Sequence, residues 1–302
     1  MALNLLTFAQ NMTDELDKAV VRKPVTGFFA DNGLRSKFVG AKTVLIPELD
    51  MSGLGNYDRD NGFARGSVTV SSQTYTLSMD RGRSFQLDRE DHDETGVAGL
   101  AGQVLGEFVR TKVVPEMDAY CLSKLATLAT TASQTITGTP STQAYKMLTD
   151  GIASVQNNVG YDEELVAFVN SMMWKELQNS AELSKHIETT TFKKGDINLQ
   201  VNSVNGVTVL PVPDSRMKTA FTYNSGVGDQ VQGGFVLATG AKSIGLLVMP
   251  KRAASLVKKT EQVRTFDPAR NLNADAWKFD YRLYYDLFIR NSMKNSIFTY
   301  AY

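Results

Sequence analysis

The feature that most limits how this chain can fold is a pair of strands with no apolar surface to hold them. KTVLIPEL (42–49) reads as one strand, with Pro47 marking an edge; SVTVSSQTYTLSM (67–79) reads as a second, and SFQL (84–87) as a short third. Between the first two lies DMSGLGNYDRDNGFARG, seventeen residues dense in Gly, Asn and Asp, which reads as a long loop. One face of the second strand carries Val68, Val70, Ser72, Thr74 and Thr76; the other carries Thr69, Ser71, Gln73, Tyr75, Leu77 and Met79. Its middle is polar on both faces. A two-stranded ribbon of that kind is marginal in water by itself. A long loop inside a compact domain is uncommon unless it is functional. The ribbon is therefore expected to be ordered by something outside its own domain.

After Gly96 the pattern changes. Val97, Leu100, Ala101, Val104, Leu105, Phe108 and Val109 recur at helical spacing, and Met117, Tyr120, Cys121, Leu125 and Leu128 continue it beyond Pro115. As one helix, 97–129 would span about 50 Å at 1.5 Å per residue. Pro115 would either bend it or begin a second helix.

Just before this helix, Asp88, Glu90, Asp91, Asp93 and Glu94 crowd around His92, one of two histidines in the chain. Carboxylates at a helix start cap free N–H groups and complement the positive end of the dipole, with Asp93 or Thr95 as the N-cap. A metal site would need a second cluster, and His186 has no companions at ligand spacing. The acids read as structural.

The remainder is mixed. Residues 1–40 read as an arm with one helical segment ended by Pro24, either free or strapped across a neighbour. TTASQTITGTPST is a polar linker, and TQAYKMLTDGIASVQNN an amphipathic helix with Tyr145, Leu148, Ile152 and Val155 on one face. ELVAFVN reads as a buried strand, and SMMWKELQNS as a helix with Ser171 near its start. NLQVNSVNGVTVLPVPDSRM reads as a hairpin turning at Asn205-Gly206. A strand at 243–249, then WKFDYRLYYDLFIR and SIFTYAY, complete an α+β pattern.

The 302 residues carry no formal net charge, from 32 basic and 32 acidic side chains, which argues against bulk electrostatic capture of nucleic acid. The charges are segregated: residues 48–94 hold ten acids against five arginines, and 251–302 hold ten bases against five acids. Opposite patches suit head-to-tail contacts between copies, or simply solvate two surfaces. Cys121 is the only cysteine, which fits synthesis in a reducing cytoplasm. It sits mid-helix on the apolar face and reads as packed. No stretch approaches a membrane span, and the N-terminus lacks a signal-peptide pattern. The glycines of NSGVGDQVQGGF lack the lysine and hydroxyl of a phosphate loop and read as turns. No nucleophile–base spacing appears, so no catalytic, cofactor-binding or metal-ligating residue is expected, nor any cofactor.

Taken in order, these segments resemble the major capsid proteins of tailed bacteriophages, the Hong Kong 97 fold family. KTVLIPEL followed by YTLSMDRGRSFQLDREDHDET is similar to that family's extended loop running into an acidic helix start. GLAGQVLGEFVRTKVVPEMDAYCLSKLA resembles its spine helix, VNGVTVLPVPDSRM its axial-domain hairpin and YDLFIRNSMKNSIFTY its closing strands. The resemblance implies an N-terminal arm (1–40), an extended β-ribbon loop (41–88), a peripheral domain (89–135 and 256–302) and an axial domain (136–255).

It also implies a non-enzymatic shell subunit, made in a bacterial host's cytoplasm and ending in the virion capsid. Its partners would be its own copies in pentamers and hexamers, a portal, and double-stranded DNA contacted weakly and without sequence preference. The extended loop would lie over a neighbouring subunit. Some family members crosslink through a lysine in that loop; here no lysine falls between Lys42 and Lys112, so no such isopeptide bond is expected. With only about forty residues before the loop, a separate scaffold protein or none is expected. The alternatives are an encapsulin-type compartment shell and a soluble enzyme with carboxylates assembled in space; a tail-tube or adaptor protein is disfavoured by the long helix.

Overall fold

The computed structural model describes residues 24–31, 37–39, 42–60, 62–88, 100–138, 143–180, 187–194, 197–271 and 274–302. The arm's helical segment, the acids Glu90–Glu94 with His92, the candidate cap Thr95 and His186 lie outside them. Asp88, the first acid of that run, is the last residue of a strand.

In chain order the first elements are β1 (Lys37–Val39), β2 (Thr43–Met51), β3 (Val68–Thr76) and β4 (Met79–Asp88). The long helix follows as α1 (Leu100–Phe108), a π turn (Val109–Val113) and α2 (Val114–Thr131). Next come β5 (Thr135–Thr137), α3 (Ala144–Val159), β6 (Leu165–Asn170), α4 (Ser171–Asn179), β7 (Ile187–Lys194), β8 (Ile197–Val204) and β9 (Val207–Val212). The chain closes with β10 (Phe221–Tyr223), β11 (Phe235–Leu237), β12 (Ile244–Pro250), β13 (Ala254–Phe266), β14 (Ala276–Ile289) and β15 (Phe298–Ala301).

Among the described residues the strands form four sheets: β1-β2-β3, β10-β11, the seven-stranded β5-β15-β12-β6-β9-β8-β7, and β13-β14-β4. LVAFVN is buried along its whole length because β6 runs between parallel β9 and antiparallel β12, with helices over both faces. Leu165, Ala167 and Val169 pack with Leu148, Ile152 and Val155 of α3 and with Met173 and Leu177 of α4. Val166 and Phe168 face the other way, into a core shared with Met117, Cys121, Leu122 and Leu125 of α2. That same core takes Phe279, Tyr281, Leu283, Tyr285 and Leu287 from β14, so α2 lies between two sheets. Buried on both sides, α2 needs apolar residues around most of its circumference.

Local signals held where they were strong. Asn205 and Gly206 have φ of 52° and 78°, as a two-residue hairpin turn requires, and join β8 to β9. At α4 the cap is Asn170, whose side chain accepts the Met173 N–H at 2.8 Å. Pro115 sits in the first turn of α2 and the chain stays helical through it. The π turn just before it accommodates the missing donor: the Val114 N–H reaches back five residues to the Val109 carbonyl.

Other expectations are corrected. The second strand does not run unbroken from 67 to 79. It stops at Thr76, and β4 starts at Met79, absorbing SFQL and pairing with β14 instead of the ribbon. SIFTYAY does form a strand as expected, and as β15 it pairs with β12 and β5 in the seven-stranded sheet. β13, β5 and β7 had no counterpart in the sequence reading. KKTEQVR and TTASQTIT are polar on both faces, and become strands because β14 and β15 supply the hydrogen bonds.

Residue Asp118 joins the start of the described chain to α2. Its buried carboxylate accepts the Val25 N–H (3.2 Å), the Thr26 N–H (3.1 Å) and the Thr26 hydroxyl (2.6 Å), and pairs with Arg216 at 2.9 Å. Burial pushes this carboxyl above the usual range, against the pull of those donors. Phe28 and Phe29 then insert beside Phe168.

Candidate functional site

The ribbon is where sequence and structure are most informative together. β2 and β3 pair antiparallel from Thr43↔Thr76 to Met51↔Val68. Their root is anchored within the chain: Val44 and Ile46 are buried with Leu77, Val257, Tyr284 and Phe288, and the Tyr75 hydroxyl donates to the Ile289 carbonyl at 2.6 Å. Among the described residues β1 pairs only as far as Leu45, and from Pro47 outward β2 pairs with β3 alone. That is where a proline, lacking its N–H, does least harm.

Beyond Pro47 the register exposes what strand-by-strand reading missed. Leu49 lies opposite Val70 and Met51 opposite Val68, so the four side chains share one face. All are exposed, between 58% (Leu49) and 73% (Val70). The opposite face carries Glu48, Ser71, Asp50 and Thr69. The outer ribbon thus has an apolar face and a polar, acidic one, contrary to the expectation of polarity on both. The signal was present in the alternation E-L-D-M and V-T-V, but only the pairing shows that the two apolar sets coincide.

The loop at the end has more internal structure than its composition suggests. Ser52 and Ser67 close it, with the Ser52 N–H donating to the Ser67 carbonyl at 3.0 Å. Asp58 and Gly62 exchange backbone hydrogen bonds of 3.1 and 2.7 Å, and Tyr57 and Phe63 stack edge to face at 4.9 Å between centroids, both exposed.

Some of the segregated charge is paired within the chain. Of the ten bases in 251–302, Lys251, Lys258, Arg270, Lys278 and Arg282 pair within the chain, with Glu164, Glu261, Asp267, Asp280 and Asp80 respectively. The Arg282–Asp80 pair joins the basic and acidic regions inside one molecule.

A cavity of about 590 Å³ lies between β4, the π turn and the glycine-rich stretch 224–235. Phe85, Phe108, Tyr281 and Leu283 line it. The arginines beside it hold that stretch in place. Arg81 pairs with Glu116 at 2.6 Å and donates to the Asn224 and Gly234 carbonyls at 2.7 and 3.0 Å, and Arg83 donates to the Val231 carbonyl at 2.9 Å. Gly226, Gly228, Gly233 and Gly234 all have positive φ and make turns. Cys121 is fully buried, and burial raises its thiol pKa far above the ordinary value. Among the described residues no three His, Cys, Asp or Glu side chains are grouped to hold a metal, and no helix is long and apolar enough to cross a membrane.

No protein-family model matches the chain, and no curated protein matches its sequence significantly. Solved structures do. The mature capsid of bacteriophage PhiM1 aligns with a TM-score of 0.53 at 12% identity, over 86% of this chain and 82% of that one. The capsid of cyanophage P-SCSP1u aligns with a TM-score of 0.54 at 11% identity, over 88% and 84%. A virus-like particle from Pyrococcus furiosus aligns with a TM-score of 0.52 at 9% identity, over 96% and 98%. The chain has the α+β fold of viral capsid shells. The likeness is one of fold, and the fold is the Hong Kong 97 type expected from the order of the segments.

Proposed function

We propose that this protein is the major shell subunit of an icosahedral phage head, assembling into pentamers and hexamers around double-stranded DNA. The observation that carries the reading is the outer ribbon. A subunit that projects Leu49, Met51, Val68 and Val70 on one face of a two-stranded arm leaves apolar area that the described residues of its own body do not cover. A neighbouring copy that receives this face supplies the missing partner.

In this reading β13, β14 and β4 with α1 and α2 make the peripheral domain, and the seven-stranded sheet with α3 and α4 makes the axial domain. The chain boundaries follow the sheets: 79–88 belongs to the periphery and β15 to the axial layer. The arm, the portal and scaffold partners, weak DNA contacts and a place in the virion after synthesis in a bacterial cytoplasm belong to the same proposal. So does a structural, non-enzymatic role. The lysine-free ribbon supports a shell without isopeptide crosslinks through it.

A second reading, a compartment shell around a protein cargo, is favoured by the near-complete alignment with the Pyrococcus furiosus particle. Electron microscopy of the purified protein tests both. Rings or closed shells are expected, and a compact monomer at high concentration overturns the shell reading. Packaged DNA distinguishes the phage head from the compartment.

A further inference from the structure

We infer that Asp286 is a positioning residue for assembly: it sets the direction in which the ribbon leaves the body. The inference rests on the shell reading and adds to it the device that aims the ribbon. Between β3 and β4 the chain passes from the ribbon sheet into the body sheet through two residues, Leu77 and Ser78. Asp286, on β14, is 1% exposed and lies directly against this junction. Its Oδ2 accepts both the Ser78 N–H and the Ser78 hydroxyl, each at 2.9 Å. Its Oδ1 accepts the Tyr120 hydroxyl and the Leu287 N–H, each at 2.7 Å, and pairs with the Lys124 ammonium of α2. Tyr120 and Ser78 are themselves in hydrogen-bond contact at 2.9 Å. One carboxylate thus ties the junction to β14 and to α2 at once.

Two other hydrogen bonds at the root, from the Tyr75 hydroxyl to the Ile289 carbonyl at 2.6 Å and from the Tyr284 hydroxyl to the Leu77 carbonyl at 3.2 Å, each hold a single backbone carbonyl and do not reach α2. The remaining tether is of a different kind. Val44, Ile46, Leu77, Val257, Tyr284 and Phe288 form an apolar contact, which is strong but not directional and tolerates sliding or rotation. Hydrogen bonds to a buried carboxylate lose energy steeply with angle, so they select one orientation. A buried ion pair contributes little net stability, because desolvation offsets most of its attraction. Asp286 and Lys124 therefore matter more for where the ribbon points than for whether the subunit folds. A ribbon aimed differently meets its neighbour at a different angle, and that angle sets shell curvature.

The test compares the full-length double variant Asp286→Ala/Lys124→Ala, which removes both charges and leaves neither unpaired, with Tyr75→Phe, which removes the tether to the Ile289 carbonyl. Expected for the double variant are a folded subunit, particle diameters spread at least twofold more widely than wild type by electron microscopy, and hydrogen exchange at the Ser78 amide at least tenfold faster. Tyr75→Phe is expected to give uniform shells. Uniform shells from the double variant, with Ser78 exchange unchanged, overturn the inference. If the double variant does not fold, Ser78→Ala replaces it. That variant removes only the hydroxyl donor, and wild-type diameters from it count against the inference in the same way. Absence of shells from the wild-type protein refutes the shell reading instead, and leaves Ser78 exchange to decide the role of Asp286.

Discussion

Replacing Leu49 and Val70 together by serine probes the outer ribbon face directly. These residues lie opposite one another, 58% and 73% exposed in the subunit, so most of their burial remains to be gained on assembly. Fully burying a Leu or Val side chain is worth about 1.5–3 kcal/mol, and roughly two-thirds of that, about 1–2 kcal/mol each, is still available here. The double substitution should weaken each ribbon contact by about 2–4 kcal/mol. At about 1.4 kcal/mol per tenfold, that is roughly a 30- to 700-fold rise in the concentration needed for assembly. Subunit stability should barely move, since exposed substitutions usually stay within about 0.5 kcal/mol. Sedimentation and light scattering against protein concentration measure the first quantity, and thermal unfolding of unassembled subunits the second. An unchanged assembly threshold in a normally folded variant would refute the claim that this face is covered by a neighbour. A parallel fall in subunit Tm would show that the face packs on its own body.

Further outcomes follow from buried and paired groups elsewhere. Asp118→Ala strands Arg216 and the Val25 and Thr26 donors, and should lower subunit stability by about 3–5 kcal/mol in urea unfolding. Asp80 is held below the usual carboxylate range chiefly by its hydrogen bond from Arg282. The stability this pair contributes is present above the unfolded pKa and is lost as pH falls through the lower folded value. Arg282→Gln should move the Asp80 titration up towards the ordinary value, as read by carboxyl NMR, with only a small change in Tm. Cys121, buried and with its thiol pKa raised, should react with a thiol reagent only on unfolding; prompt reaction in assembled particles would contradict its burial.

Much of the architecture is readable locally. The Asn205-Gly206 turn, the i, i+3, i+4 stripe of α3 and the apolar run of β6 are short-range patterns, and each specifies its own geometry. The order of those segments carried the resemblance to a capsid fold, because order survives when identity falls to 9–12% with the aligned particles. Polar strands such as β13 and β5 were not readable. KKTEQVR within β13 and the TIT of β5 offer no apolar face, and their conformation comes from hydrogen bonds to β14, the next strand along, and to β15, near the other end of the chain.

The candidate interface divides in the same way. Sequence alone was enough to mark residues 43–76 as two strands around a long Gly-, Asn- and Asp-rich loop, since alternation and turn residues are local patterns. Only the tertiary structure decided that Leu49, Met51, Val68 and Val70 share a face, that the root packs on Tyr284 and Phe288, and that Asp286 meets Ser78. Strand register and contacts between residues two hundred positions apart depend on the free energy of the whole fold, and no local stretch of sequence contains that quantity.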